Sequence, residues 1–338
     1  LAIDRFESIH LQHPTEPSGA FGLVRAAELL EAREANEAAA IRYETVIEDY
    51  DNPVLRARAR LGLAYLVEDE DPGRAADLYR AVLEEGASRE DLKAAYLGLG
   101  RTYLRTNELE LAEQSYRKAI ELQPNYWRAY MSMGNYLYRS GKVEEAIPYY
   151  QRITELMPQS ESALNNLGAA LFSSGNFSDA ARYWQESLEL APSSVAYSNV
   201  ATSLYFEGRY REAADLYHKA VEFAPDDFEL WGSLGDAYSQ LPDEADLAEV
   251  MYTNAIALAE KRLQVNPSDA RTLALLGHFE AKTGNSGKAL AYAGQSQALS
   301  PNDMLVNYYC ATAMTGIGEW QRAFDLLEHS LSLGYPWS

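Results

Sequence analysis

Few residues of this chain have types and spacings that could do chemistry. The segment "GNSGKAL" (284–290) gathers glycines and a lysine in the manner of a loop whose backbone N–H groups hold phosphate. Its glycine spacing is wrong, however, and Ala289 stands where a serine or threonine must bind magnesium. It therefore reads as a turn between helices, and "SGKVEEA" at 140–146 reads the same way. His10 and His13 could share a metal, but no third or fourth ligand lies near them, so they read as surface histidines of an N-terminal segment. His278 falls on the inward side of an expected helix with no obvious acid partner, which is weak ground for a general base. Cys310, the single cysteine, sits in "VNYYCATAM", a buried helix face, and reads as a small core hydrophobe instead of a nucleophile. The run Glu68 to Asp71 lacks calcium-loop spacing and reads as a solvated turn. "NFS" at 176–178 matches a glycosylation acceptor, which matters only in a secretory setting. No H-E-x-x-H, G-x-S-x-G, dinucleotide loop or kinase catalytic signature occurs. The expectation is a chain without catalytic residues, metal or cofactor.

Charge and composition narrow the classes further. Fifty acidic and 29 basic residues give a formal charge of −21, which argues against a nucleic-acid partner, since neutralising phosphate needs a basic face. The excess is uneven: residues 1–92 carry 20 acids and 10 bases, 93–193 carry 11 and 10, and 194–338 carry 19 and 9. A hydrophobic content of 47% with 23% charged residues describes a folding chain. No apolar run approaches the roughly 20 residues that cross a bilayer, so no membrane insertion is expected. "LAIDRFESIHLQHP" lacks the basic and apolar regions of a signal peptide, and Leu1 in place of methionine implies an excised or processed piece. One cysteine rules out an internal disulfide and fits a reducing compartment. The expected location is the cytoplasm, or the periplasm should an anchor precede Leu1.

The elements that must position any site follow from a repeat. Alanine recurs at 39, 75, 112, 146, 180, 213, 248, 289 and 323, at intervals of 33 to 41 residues. Four residues on stand Tyr43, Tyr79, Tyr116, Tyr150, Trp184, Tyr217 and Tyr252. About twelve residues before each alanine is another small residue, among them Gly62, Gly100, Gly134, Gly168, Gly235 and Gly277. Such spacing fits two antiparallel helices per unit. The small residue of the first is expected to face the alanine of the second, and the aromatic to fill the space between neighbouring hairpins. Asn107, Gly141, Gly175, Gly208, Gly284 and Gly318 supply the left-handed residue of the reversal. Pro124, Pro158, Pro192, Pro225, Pro267 and Pro301 stop the second helices.

These positions follow the pattern W-x2-L-G-x2-Y…A-x3-F…P with its 34-residue period, and the chain resembles the tetratricopeptide repeat family over nearly its whole length. The resemblance implies an all-α, right-handed superhelical solenoid of antiparallel helix pairs, about nine repeats long. After an N-terminal segment at 1–19, the units are placed at 20–54, 55–92, 93–126, 127–160, 161–193, 194–227, 228–269, 270–303 and 304–338. Two depart from the pattern: the second by the acidic insertion "EDEDPG", the seventh by "LPDEAD" and a second helix about two turns longer. The last hundred residues are also similar to repeat regions that follow the catalytic or DNA-binding domain of bacterial serine/threonine kinases and winged-helix regulators. That likeness implies a sensory, docking or dimerisation part of something larger.

In the family, the first helices line a concave face. Its register carries Arg101, Leu104 and Arg105 inward from the third unit, and Arg128, Met131, Asn135, Tyr138 and Arg139 from the fourth. The fifth contributes Asn165, Asn166 and Phe172, and the sixth Ser198, Asn199, Thr202 and Tyr205. Asparagine amides can bond both groups of a peptide backbone, arginine forks grip carboxylates, and tyrosines add stiff contact area. The expectation is a non-catalytic scaffold that holds an extended, acidic peptide segment of a partner protein. Half of these polar residues need no role beyond facing water. The lysines of the family's carboxylate clamp are missing, with Met131 and Val195 at two of their places, so chaperone tails are not the expected ligand. Two alternatives stand: a regulatory fragment as above, or a scaffold that binds through its convex face or its ends. The tail "GYPWS" (334–338) would be one such end and a route to homo-oligomers.

Overall fold

The computed structural model describes residues 2–85 and 87–333. Among them the chain is helical throughout, with no strand. It divides into two compact units, Leu1–Leu137 and Tyr138–Ser338. The first holds α1 (Ala2–Gln12), α2 (Pro17–Glu31), α3 (Asn36–Asp49), α4 (Pro53–Val67), α5 (Pro72–Glu84), α6 (Arg89–Arg105), α7 (Leu109–Leu122) and most of α8 (Trp127–Arg139). The second holds α9 (Val143–Leu156), α10 (Glu161–Ser173), α11 (Phe177–Leu190), α12 (Ser194–Phe206), α13 (Tyr210–Phe223), α14 (Phe228–Ser239), α15 (Ala245–Val265), α16 (Ala270–Lys282), α17 (Ser286–Leu299), α18 (Met304–Gly316) and α19 (Trp320–Ser332). In each unit, most helices adjacent in sequence pack as neighbours, and some alternate helices also meet, α2 on α4, α4 on α6 and α16 on α18.

Local chemistry sets the ends of these helices. Asn107 and the five expected turn glycines all have positive φ, between 62° and 82°. Glu34 does too, at 61°, in the turn between α2 and α3, where its residue type gave no warning. The second helices end at Leu122, Leu156, Leu190, Phe223, Val265 and Leu299, each two residues short of a proline that could neither donate nor fit. Ser160, Ser193, Asp227, Asp269 and Asp303 open the next first helices by accepting from backbone N–H groups two or three residues on. The lengthened second helix is present: α15 runs 21 residues where its counterparts run 13 or 14.

The repeat alanines and aromatics are buried, but the small residues of the first helices do something other than expected. A Cβ on Gly100 would lie 2.3 Å from the Tyr116 ring, and one on Gly168 would lie 2.5 Å from the Trp184 indole. Gly235 meets Tyr252 in the same way. At these three positions the missing side chain makes room for the aromatic of its own hairpin, because a ring needs more space than two backbones in contact would leave, whereas Gly62 lies against Tyr43 of the preceding hairpin. The eighth hairpin shows the expected arrangement. There Ala293 stands at the aromatic position, and Gly277 comes close to the Ala289 and Ala293 backbone.

The N-terminal segment is not a loose arm. Helix α1 packs on α2, with the Phe6 carbonyl close against Gly22. His10 is half-buried there, its Nδ1 2.5 Å from Tyr50 Oη, and His13 Nδ1 lies 3.1 Å from Glu16 Oε2. His10 is thus packed against the chain, while the His13 side chain stays largely at the surface as expected. The tail "GYPWS" lies outside the described residues.

Candidate functional site

In the first unit, two of the side chains expected to meet a ligand, Arg101 and Arg105, meet the chain itself. Glu68 is buried, at 4% exposure. Arg101 donates to it through both Nε (2.9 Å to Oε1) and a terminal nitrogen (2.7 Å to Oε2), and Tyr79 Oη adds a third bond at 2.9 Å. Arg105 pairs with Asp69 of the same turn. The insertion "EDEDPG" is thus not simply a solvated turn. It folds its first two carboxylates onto two of the four arginines assigned to the groove: Glu68 because a buried carboxylate needs charged donors around it, Asp69 as a solvent-exposed pair with Arg105. Burial and the Glu68 charge hold the Tyr79 hydroxyl protonated far above the usual tyrosine range.

Arg128 is exposed, and its guanidinium lies 5.4 Å from the centroid of the Trp127 ring. It borders a cavity of about 430 Å³ whose other walls include Tyr65, Lys93, Trp127 and Met131. Asn135 is exposed on the same helix. In the second unit, Arg139 is exposed, Tyr138 Oη bonds Ser173 Oγ at 2.8 Å, and Asn166 and Asn199 are half-buried. Asn165 accepts from Trp184 Nε1 at 3.2 Å through its backbone carbonyl, while its side-chain Nδ2 reaches Glu161 at 3.4 Å. Thr202 Oγ1 and Tyr217 Oη are 2.7 Å apart.

Thr202 and Tyr205 line a cavity of about 630 Å³ within this unit, and most of its remaining wall lies beyond the residues the sequence reading selected. Helices α12, α14, α16 and α18 contribute Thr202, Asp236, His278 and Thr312 at the same register, at intervals of 34, 42 and 34 residues. One turn away on their own helices, Tyr205, Phe206, Lys282 and Tyr308 complete the opening. Tyr252 Oη donates to Asp236 Oδ1 at 2.7 Å, and His278 Nε2 lies 3.1 Å from the same oxygen. His278 is buried and does have an acid partner, which the sequence could not show because the two residues are 42 apart. Lys282 Nζ stands 3.8 Å from that oxygen. Burial raises the Asp236 pKa, but His278, Lys282 and Tyr252 outweigh it and hold the carboxyl below its usual range. The signal that could have found these residues was the repeat itself, carried on through the seventh to ninth units.

The tetratricopeptide repeat family matches residues 66–126, 97–161, 131–195 and 201–251, together more than half of the chain. The chain belongs to that family. No curated protein matches it in sequence. Among solved structures, a tetratricopeptide repeat protein from Parabacteroides merdae is similar at 18% identity, covering 76% of this chain and 98% of its own, with a TM-score of 0.59. A chain of the APC/C hetero-tetramer Cut9-Hcn1 is similar at 18% identity over 97% of this chain and 58% of its own, with a TM-score of 0.51. YrrB, described as a TPR protein with an unusual peptide-binding site, is 21% identical over 61% of this chain and all of its own, with a TM-score of 0.46. At these identities the likeness is one of fold.

The near misses of the sequence fall into place within tetratricopeptide hairpins. "GNSGKAL" is the turn into α17 and the start of that helix, with Gly284 at positive φ and Lys288 paired with the buried Glu280 at 2.9 Å. Cys310 is buried in α18, its thiol pushed up to about 11, mainly by burial. Among the described residues, no group of three or more His, Cys, Asp or Glu side chains is placed to hold a metal ion. No described helix is long and apolar enough to cross a membrane.

Proposed function

We propose that this tetratricopeptide chain is a non-catalytic scaffold that holds an extended segment of a partner protein against its first helices, with the second unit's cavity as the main seat. Proteins of the family are generally interaction scaffolds of this kind. The observation that carries the reading is that four successive first helices, α12, α14, α16 and α18, direct side chains of one register around a single cavity of about 630 Å³. Aromatic walls with a few fixed polar groups are the usual make-up of a site that anchors one side chain of a ligand.

The expected preference for acidic segments rested on four arginines. Glu68 and Asp69 neutralise Arg101 and Arg105, so it now rests on Arg128 and Arg139. Panning a displayed peptide library on the intact chain tests the whole reading. Selected peptides should lose about tenfold or more in affinity to Tyr205→Ala or Tyr308→Ala. If neither change matters, the cavity is not the seat. If Arg128→Ala and Arg139→Ala alone weaken binding, the acidic preference of the arginines is the better account.

A second reading has its own support. On α19, Trp320, Phe324 and Leu327 are exposed, and their i, i+4, i+7 spacing makes one apolar stripe. Such a face suits stacking against another helix. Light scattering of the chain and of a Trp320→Ser/Phe324→Ser double variant tests self-association through it. A monomer in both cases removes the idea.

A further inference from the structure

We propose that the second unit's cavity takes a cationic side chain, a lysine or arginine of the partner segment, and that Asp236 is the anion that holds it. This rests on the reading that a partner segment lies on the first helices, and it reverses, for this seat, the acidic preference expected from the sequence.

Asp236 is the one carboxylate among the residues bordering the cavity, and its side chain is 30% exposed. It is also pre-oriented. Tyr252 Oη and His278 Nε2 both address Oδ1, and Oδ2 accepts no hydrogen bond among the described residues. A carboxylate can only accept, so His278 Nε2 carries the proton, and the ring fixes the group without competing for its second oxygen. The carboxyl stays ionised because these partners outweigh its burial. An anchored carboxylate with one oxygen left over is a receptor for an ammonium or guanidinium group.

The walls agree. Tyr205, Phe206 and Tyr308 border the same space, and the negative faces of aromatic rings attract cations, more so where water is partly displaced. The wider field has the same sign. Residues 194–338 carry 19 acids against 9 bases, and several of those bases are already committed: Arg209 to Glu212, Arg211 to Glu244, Arg271 to Glu229 and Lys288 to Glu280. An approaching cation is drawn to this surface and an anion repelled.

Lys282 is the objection, and it sharpens the test. Its ammonium is 3.8 Å from Asp236 Oδ1, beyond hydrogen-bond distance, and its side chain is 31% exposed on a flexible stem. A pair this long and this wet is weak, so Lys282 acts as a resident cation that the ligand displaces.

The intact chain, isotope-labelled for amide NMR, is titrated with N-acetyl-arginine methylamide and with its lysine and glutamate counterparts. The arginine or lysine probe should give saturable shifts along α12, α14, α16 and α18, and the glutamate probe none. Asp236→Asn should weaken the cationic probe about tenfold or more, and Lys282→Gln should tighten it about two- to fivefold by removing the competitor. Lys282→Gln changes a partly exposed side chain and gives a readable result even if Asp236→Asn unfolds the unit. Preference for the glutamate probe, or weakening of the cationic probe by Lys282→Gln, overturns the assignment. So does the absence of any saturable shift at the cavity. Library peptides that need Tyr205 and Tyr308 but carry no basic residue would defeat the charge assignment and leave the scaffold standing. Binding of the cationic probe without any binding peptide would do the reverse.

Discussion

Single residues in this chain are constrained by what they leave room for. The face of Gly100 is filled by the Tyr116 ring, so a methyl group there must push the ring out of its place. Gly100→Ala should cost about 1–3 kcal/mol, read from urea unfolding. A cost near zero would mean that the ring is loosely held. Asp236 gives a pH-dependent counterpart. Its carboxyl is below the usual 3.8 in the folded chain, so it contributes stability above that value and loses it as pH falls through the folded pKa. The gap in unfolding midpoint between the wild type and Asp236→Asn should therefore be widest near neutrality and close below about pH 4. A gap that stays constant down to pH 2 would show that the ionised group is not what stabilises. The residue scale is also where the sequence was least legible. Glu68 looked like one more solvated acid, and only the fold reveals that Tyr79 and Arg101, 11 and 33 residues on, close over it.

Elements were far more legible, because their signals are local. A proline two residues past a helix end, a left-handed turn residue and a capping Ser or Asp each act within one turn of chain, and together they marked most helix ends. The missed element was α1. Its 11 residues bury no side chain fully and carry no repeat alanine, so the repeat pattern passes it by and its amphipathic spacing is its one sign. Glu34 shows how a turn can be made against propensity. It holds φ at 61° where five other turns use glycine, a conformation that costs a residue with a Cβ about 1 kcal/mol. Glu34→Gly should raise the unfolding midpoint slightly, with a gain of up to about 0.5 kcal/mol after the glycine's larger unfolded-state entropy is deducted. Destabilisation would indicate that the exposed Glu34 side chain makes a contribution the backbone argument omits.

For the whole molecule, stability is a sum over neighbouring hairpins, so it should vary along the chain. Ten consecutive residues of α16, Thr272 to Ala281, are buried, whereas α1 buries none and α19 only Ala323 and Ser330. Amide hydrogen exchange should accordingly be slowest in α16 and fastest in α1 and α19. Uniform protection along the chain would mean a single cooperative block. The net charge of −21 acts at this scale too. It favours encounter with basic partners, and added salt should slow their association more than their dissociation.

The sequence alone determined the helical hairpins, their turns and stops, and the family, because a 34-residue period and its punctuation are written in neighbouring residues. Tertiary structure alone decided which polar groups of the first helices remain available. Arg101 and Arg105 are spent on Glu68 and Asp69, while Asp236 is braced by Tyr252 and His278 with one oxygen to spare. Charges cancel or persist through distances of about 3 Å, and those distances join residues far apart in sequence, several of them in different hairpins.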